Sequence, residues 1–167
     1  MLRRWLFSFG LIAILIVIQS TWLDYIALYS VVPDLSLLAI VYISFKSPGL
    51  QGQSLGFVAG LLQDGISAAP FGLNAFIKTS IGWLANLLSG KFYIDKFLMP
   101  AIFGSIATLA KALYLIILTT IFSGKILSYD LLNRVLWIEV AYNAVVAPVL
   151  FILLSPLDRF LIPMEKH

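Results

Sequence analysis

"GFVAGLLQDGISAAPFGLNAF", residues 56–76, places one acid within a run of glycine, alanine, leucine and aromatic residues. Four residues repeat at every fourth position in and just before this stretch: Gly52, Gly56, Gly60 and Asp64. Residues four apart share one face of a helix, and a stripe of small residues lets another helix come close within a membrane. We therefore predict a helix that packs closely on the protein's own helices or, alternatively, on a partner's helix. The letters AAPFG that follow predict a sharp turn into the next helix.

The composition indicates a membrane protein. Of 167 residues, 61% are hydrophobic and only 11% are charged, and the mean hydropathy is +1.01. A soluble domain carries about a quarter charged residues, so we expect one integral membrane domain over residues 1–167. Cysteine is absent and His167 is the single histidine, which removes the usual ligands of zinc and haem and the commonest catalytic base. No metal or cofactor is expected.

Apolar segments predict an all-α, polytopic membrane bundle of about six transmembrane helices. The first follows Arg3 and Arg4 and is interpreted as an uncleaved helix, because no small-residue cleavage site follows it. The second begins near Pro33, a residue that suits the first turn of a helix, and Asp34 then lies where the helix dipole favours an anion. The remaining four are predicted at residues 54–69, 73–88, 98–122 and 131–155.

The basic residues between these segments predict the orientation. One side of the membrane receives seven of them, Arg3, Arg4, Lys46, Lys91, Lys96, Arg159 and Lys166, and the other side receives Lys125 and Arg134. Cytoplasmic loops carry the excess of Lys and Arg, so both termini are predicted to be cytoplasmic. The same residues are scattered singly and form no basic stripe, which argues against nucleic-acid binding.

Four ionisable residues fall inside the predicted spans: Asp64, Lys78, Lys111 and Glu139. Each costs about 2.5–3.5 kcal/mol near the centre of a membrane helix, so each is expected to have a partner. Their depths predict two ion pairs, Asp64 with Lys78 and Lys111 with Glu139. We interpret them as structural; the alternative is a polar pocket or a proton path.

Three motifs, VVPDLSLL (31–38), GFVAGLLQD (56–64) and PFGLNAF (70–76), resemble the bacterial family of rod shape-determining membrane proteins called MreD. The resemblance covers most of the chain. It implies a subunit of the cell-elongation machinery in the cytoplasmic membrane, with a bundle similar to the substrate-binding subunits of energy-coupling-factor transporters and no known catalysis. The positions that match the family motifs are Pro33, Asp34, Gly56, Gly60, Asp64 and Gly72.

The resemblance also implies partners: the bitopic coiled-coil protein MreC, the MreB filament, and the RodA glycosyltransferase with its transpeptidase. The first hypothesis is accordingly a non-enzymatic scaffold that docks an MreC-like helix and helps position peptidoglycan synthesis. The alternative is a small-molecule-binding subunit of a transporter, whose pocket the four buried charges would line. A membrane enzyme is a third class, but only Asp34, Asp64 and Glu139 qualify as acids or bases, and no sequence feature places two of them together.

Overall fold

The structure is a computed structural model, and it describes residues 2–29, 31–47, 49–67, 69–90, 95–121 and 134–162. In these ranges the regular structure is helical, apart from one isolated bridge between Leu28 and Val31. Six helices form the bundle: α1 (Leu2–Thr21), α2 (Leu35–Lys46), α3 (Gln51–Ile66), α4 (Leu73–Leu87), α5 (Leu98–Ile121) and α6 (Arg134–Leu154). Short helical turns follow α1 and α6, at Leu23–Ile26 and Ser155–Leu157, and α7 (Asp158–Leu161) follows the second turn. The all-α prediction is confirmed.

Among the described residues, three helical segments are long and apolar enough to cross a membrane: Arg3–Thr21, Leu98–Ile121 and Arg134–Leu161. The chain is therefore a membrane protein. The helices α2, α3 and α4 have 12, 16 and 15 residues and are about 18 to 24 Å long, which is shorter than the ~30 Å hydrocarbon core. The count of six spans and the cytoplasmic termini stay predictions. Lys91, Lys125 and Lys166, which entered the orientation count, lie outside the described residues.

The predicted helix bounds agree closely with the structure. Helix α4 begins at Leu73 and α5 at Leu98, as predicted. Helix α3 is shifted by three residues toward the N-terminus at both ends relative to the predicted segment 54–69. Residue 122 and residues 131–133, at the ends of the last two predicted segments, lie outside the described residues.

Helix α2 is the centre of the bundle. Every residue from Leu35 to Phe45 is buried, and α2 contacts α1, α3, α4, α5 and α6. A helix that is apolar on all sides is stable only inside a larger structure, and the sequence LSLLAIVYISF meets this condition because its polar members are two serines and one tyrosine. The other helices therefore arrange themselves around α2.

The helices α3 and α4 form a tightly packed hairpin, and the glycine stripe makes it possible. A Cβ atom at Gly56 would lie 2.5 Å from the carbonyl oxygen of Lys78, and one at Gly60 would overlap the backbone of Ala75 on α4. A Cβ atom at Gly52 would overlap the side chain of Ser44 on α2. The stripe thus packs on the protein's own helices. At the turn, Gly72 has a φ of +95°, a backbone conformation that glycine adopts readily and other residues rarely do.

We predict that Gly60→Ala lowers the stability of the protein, because the added methyl group must displace the backbone of α4. Overpacking of this kind costs about 1–3 kcal/mol. The matched control is Gly65→Ala on the same helix, since a Cβ atom there meets nothing within 4 Å and alanine favours a helix over glycine by up to about 1 kcal/mol. Thermal unfolding in detergent measures both variants. A melting temperature of Gly60→Ala at or above that of Gly65→Ala would contradict the close contact.

Candidate functional site

Asp34 occupies the N-terminal end of α2 and is 2% exposed. Its Oδ1 atom accepts hydrogen bonds from the backbone N–H of Leu37 at 3.0 Å and from the hydroxyl of Ser36 at 2.9 Å. The first of these bonds is an N-cap, which satisfies one of the free N–H groups at a helix start. The preceding Pro33 lies just outside the helix, which begins at Leu35. The predicted anion at the start of the second helix is therefore present.

Lys78 of α4 pairs with Asp34. Its ammonium group donates to Asp34 Oδ1 at 2.9 Å and also to the hydroxyl of Ser36. The predicted pair of Lys78 with Asp64 is wrong. Asp34 was predicted only as an anion at the start of the second helix and was not counted among the buried charges, although α2 packs against α4 and brings the start of α2 to Lys78.

Lys111 of α5 pairs with Glu139 of α6 at 2.7 Å, which confirms the second predicted ion pair. The same ammonium group also contacts Asp34 Oδ2 at 3.4 Å. Asp34 therefore joins two ion pairs that the sequence suggested to be separate. Counted over the residues that the structure describes, two lysines and two acids balance in charge at this site.

Asn143 extends the network to α6 and α5. Its side-chain oxygen accepts a hydrogen bond from the Asp34 backbone N–H at 2.9 Å, and its amide group donates to Thr108 at 2.8 Å. Thr108 in turn donates to the carbonyl of Gly104 at 2.8 Å. We call the following set the Asp34 cluster: Asp34, Ser36, Lys78, Thr108, Lys111, Glu139 and Asn143. It connects α2, α4, α5 and α6, and a buried network with each charge paired in this way is far more stable than one with a partner missing.

Asp64 has a different role from the one predicted. Its carboxylate accepts hydrogen bonds from the backbone N–H groups of Gly72, Asn74 and Ala75 at 2.9, 3.0 and 3.3 Å. The Asn74 side-chain amide donates to it as well, at 2.8 Å. These N–H groups lie at the start of α4, where the helix leaves them without intrahelical acceptors and where the dipole favours an anion. Asp64 thus closes the α3–α4 turn.

A second polar group lies at the opposite end of α2. Lys46 forms an ion pair with Asp158 at 2.6 Å, and Tyr42 donates a hydrogen bond to the same carboxylate at 2.5 Å. Lys46 also donates to the Tyr42 hydroxyl at 2.9 Å. Sequence analysis missed this contact, because Asp158 lies more than a hundred residues away and Lys46 was assigned only to a loop. The spacing of Tyr42 and Lys46, four residues apart on one helix face, was its one visible sign.

The charged groups of the Asp34 cluster contact one another. A cavity at the opposite end of α2 is lined by none of the members of the cluster. Within the part of the chain that the structure describes, no three His, Asp or Glu side chains come together as a metal site requires. Asp34 and Glu139 meet at Lys111, which the sequence had not indicated, but both carboxylates are already paired with lysine.

Comparison with known proteins identifies one family. The sequence profile described as "rod shape-determining protein MreD" matches residues 1–157. No match was found among curated proteins or among solved structures.

We predict that Lys78→Met destabilises the protein by about 3–5 kcal/mol, the usual effect of removing one partner of a buried ion pair. The double variant Asp34→Asn with Lys78→Met should regain most of this loss. Asparagine keeps an oxygen for the N-cap, and the pair of Lys111 with Glu139 stays balanced. Unfolding by SDS titration in mixed micelles gives the free energies.

The control is the double variant Asp64→Asn with Lys78→Met. Asp64 shares no hydrogen bond with Lys78. The losses of unfolding free energy caused by Asp64→Asn and by Lys78→Met should therefore add, to within about 0.5 kcal/mol. A recovery of stability with Asp64→Asn and none with Asp34→Asn would support the pair of Lys78 with Asp64 that the sequence predicted and would contradict its pair with Asp34.

Proposed function

The chain belongs to the MreD family of rod shape-determining proteins, and we propose that it is a non-enzymatic scaffold of the cell-elongation machinery. In this proposal the protein lies in the bacterial cytoplasmic membrane as a multi-pass bundle, docks an MreC-like bitopic protein and helps position peptidoglycan synthesis. The observation that carries the proposal is the family match over residues 1–157. The three long apolar helices are consistent with it.

The burial and the contacts of the three candidate acids support a role without catalysis. A general acid or base must come within hydrogen-bond reach of a substrate proton. Asp34 is 2% exposed and holds two lysines, Glu139 is 4% exposed and holds one, and Asp64 is 4% exposed and caps α4. Each carboxylate is thus engaged by the protein itself.

The surfaces left for a partner are apolar helix faces. Several large side chains that point away from the bundle are exposed, among them Leu6, Ile14 and Val17 on α1 and Ile106, Leu113 and Ile117 on α5. The turns between α2 and α3 and between α3 and α4 are short. A protein with a single membrane helix can dock on such faces, and this fits an MreC-like partner. The glycine stripe is not such a face, because α2 and α4 cover it.

The same machinery would include the RodA-type glycosyltransferase with its transpeptidase and the MreB-like filaments. The transporter alternative is less well supported. It required the four buried charges to line a pocket. In the structure Asp34 pairs with Lys78 and Lys111, Lys111 also pairs with Glu139, and Asp64 closes a turn.

We predict that the full-length protein, purified from cells in mild detergent, retains an MreC-like bitopic protein at near-stoichiometric amount. Mass spectrometry of the eluate measures the amounts of the proteins and of the small molecules that are retained. The control is a tagged polytopic membrane protein of similar size from the same cells. Recovery of a stoichiometric small molecule with no bitopic partner would favour the transporter alternative and contradict the scaffold.

We predict further that the double variant Asp34→Asn with Lys78→Met restores rod shape to cells depleted of the wild-type protein. A structural cluster tolerates the exchange once the bundle is stable, whereas a catalytic or transporting cluster does not. Cell length-to-width ratio measures the outcome, with membrane-fraction immunoblots to show that the variant is present. Round cells containing normal amounts of a folded variant would contradict the structural role.

A further inference from the structure

A cavity of about 380 Å³ lies where the C-terminal ends of α2 and α6 meet the N-terminal end of α5. It is at the opposite end of α2 from the Asp34 cluster. The residues that line it are Tyr42, Lys46, Asp95, Lys96, Pro100, Phe151, Ile152 and Ser155. This side carries most of the basic residues and is the side predicted to be cytoplasmic. Neither the scaffold proposal nor the buried charges account for this cavity.

The rim of the cavity is polar and carries the two ammonium groups of Lys46 and Lys96 together with the carboxylate of Asp95. Asp158 pairs with Lys46 at 2.6 Å, so the two lysines are balanced by two acids, and the rim offers ammonium donors rather than a net positive charge. Asp95 already accepts a hydrogen bond from the backbone N–H of Phe97 at 2.8 Å. Lys46 has three N–H donors, and two of them are directed at Asp158 and Tyr42. The third donor of Lys46 and the exposed ammonium group of Lys96 are the groups suited to an anion.

The wall of the cavity is apolar. Phe151 packs against Tyr42 with ring centroids 4.9 Å apart, which fixes the position of both rings. Pro100 contributes from the first turn of α5, and Ile152 is 43% exposed on the outer face of α6. A ligand here would therefore meet cations at one end and a hydrocarbon surface at the other.

We propose that this cavity binds the phosphodiester headgroup of an anionic phospholipid, with its acyl chains along Ile152 and the outer face of α6. The volume lies at the low end of the range for small-ligand sites, about 300–1,000 Å³, and suits a headgroup rather than a whole lipid. Basic pockets between membrane helices on the cytoplasmic side are suited to such headgroups. The cavity lies at the C-terminal end of α2 and the N-terminal end of α5, near Lys46 and Leu98, and the proposal requires these two helix ends to reach the level of the headgroups.

Native mass spectrometry of the full-length protein tests the proposal, with dioleoyl phosphatidylglycerol and dioleoyl phosphatidylcholine added at equal concentration. The wild type should bind phosphatidylglycerol at least fivefold more tightly. Lys96→Gln should lower the preference for phosphatidylglycerol about fivefold, since one lysine beside anionic lipid contributes about that factor. Lys96 is exposed, so the variant should fold normally. The matched control is Arg159→Gln, which removes one charge from an exposed residue at the same end of the bundle but outside the cavity lining.

Two results would overturn the site. The first is equal binding of the two lipids by the wild type, and the second is an equal loss in Lys96→Gln and Arg159→Gln, which would mean a diffuse attraction to the whole basic surface. A third arm separates lipid from free phosphate. Soluble sn-glycerol 3-phosphate should not displace phosphatidylglycerol at equal concentration, and displacement would assign the cavity to a soluble phosphate compound instead.

Discussion

The carboxylate of Asp34 is shared by two buried lysines, and the arrangement of four helices depends on this contact. Lys78 and Lys111 approach its two oxygens at 2.9 and 3.4 Å. A charge in this interior is tolerated only when it is paired and hydrogen-bonded, so α4 and α5 must present their lysines at the start of α2. Glu139 then balances the second lysine. One acid thus sets the relative positions of α2, α4, α5 and α6.

The second buried acid solves a related problem in the α3–α4 hairpin. Gly56 and Gly60 bring the two backbones so close that no side chain fits between them, and Asp64 then reaches the free N–H groups at the start of α4. Both carboxylates lie at the start of a helix, that of Asp34 at α2 and that of Asp64, a residue of α3, at α4, where backbone N–H groups and the helix dipole stabilise an anion. The difference is that Asp34 also holds lysines, whereas Asp64 is satisfied by the backbone and one asparagine.

Much of the fold follows from the sequence, because helix ends are marked by local chemistry. The apolar segments, Pro33, Asp34 and Gly72 predict the starts of α2 and α4 within two residues. The ion pair of Lys111 with Glu139 was also predictable, since helices that follow one another in the sequence place residues of equal depth side by side. The pair of Lys78 with Asp64 was predicted by the same reasoning and is wrong, because equal depth does not determine which neighbouring helix a side chain faces. The contact of Lys46 with Asp158 joins α2 to the segment that follows α6, 112 residues later in the sequence, and no local pattern reveals it.

The buried charges hold the helices of the bundle together, and under the proposed function recognition is left to the outer faces and to the headgroup level. The ion pair between Lys78 and Asp34 is central to this arrangement. Solid-state NMR of the protein in lipid bilayers measures it directly, through dipolar couplings between the ammonium nitrogen of Lys78 and the carboxyl carbons of aspartate. The ion pair predicts a strong coupling to Asp34 and none to Asp64. A strong coupling to Asp64 with none to Asp34 would contradict it.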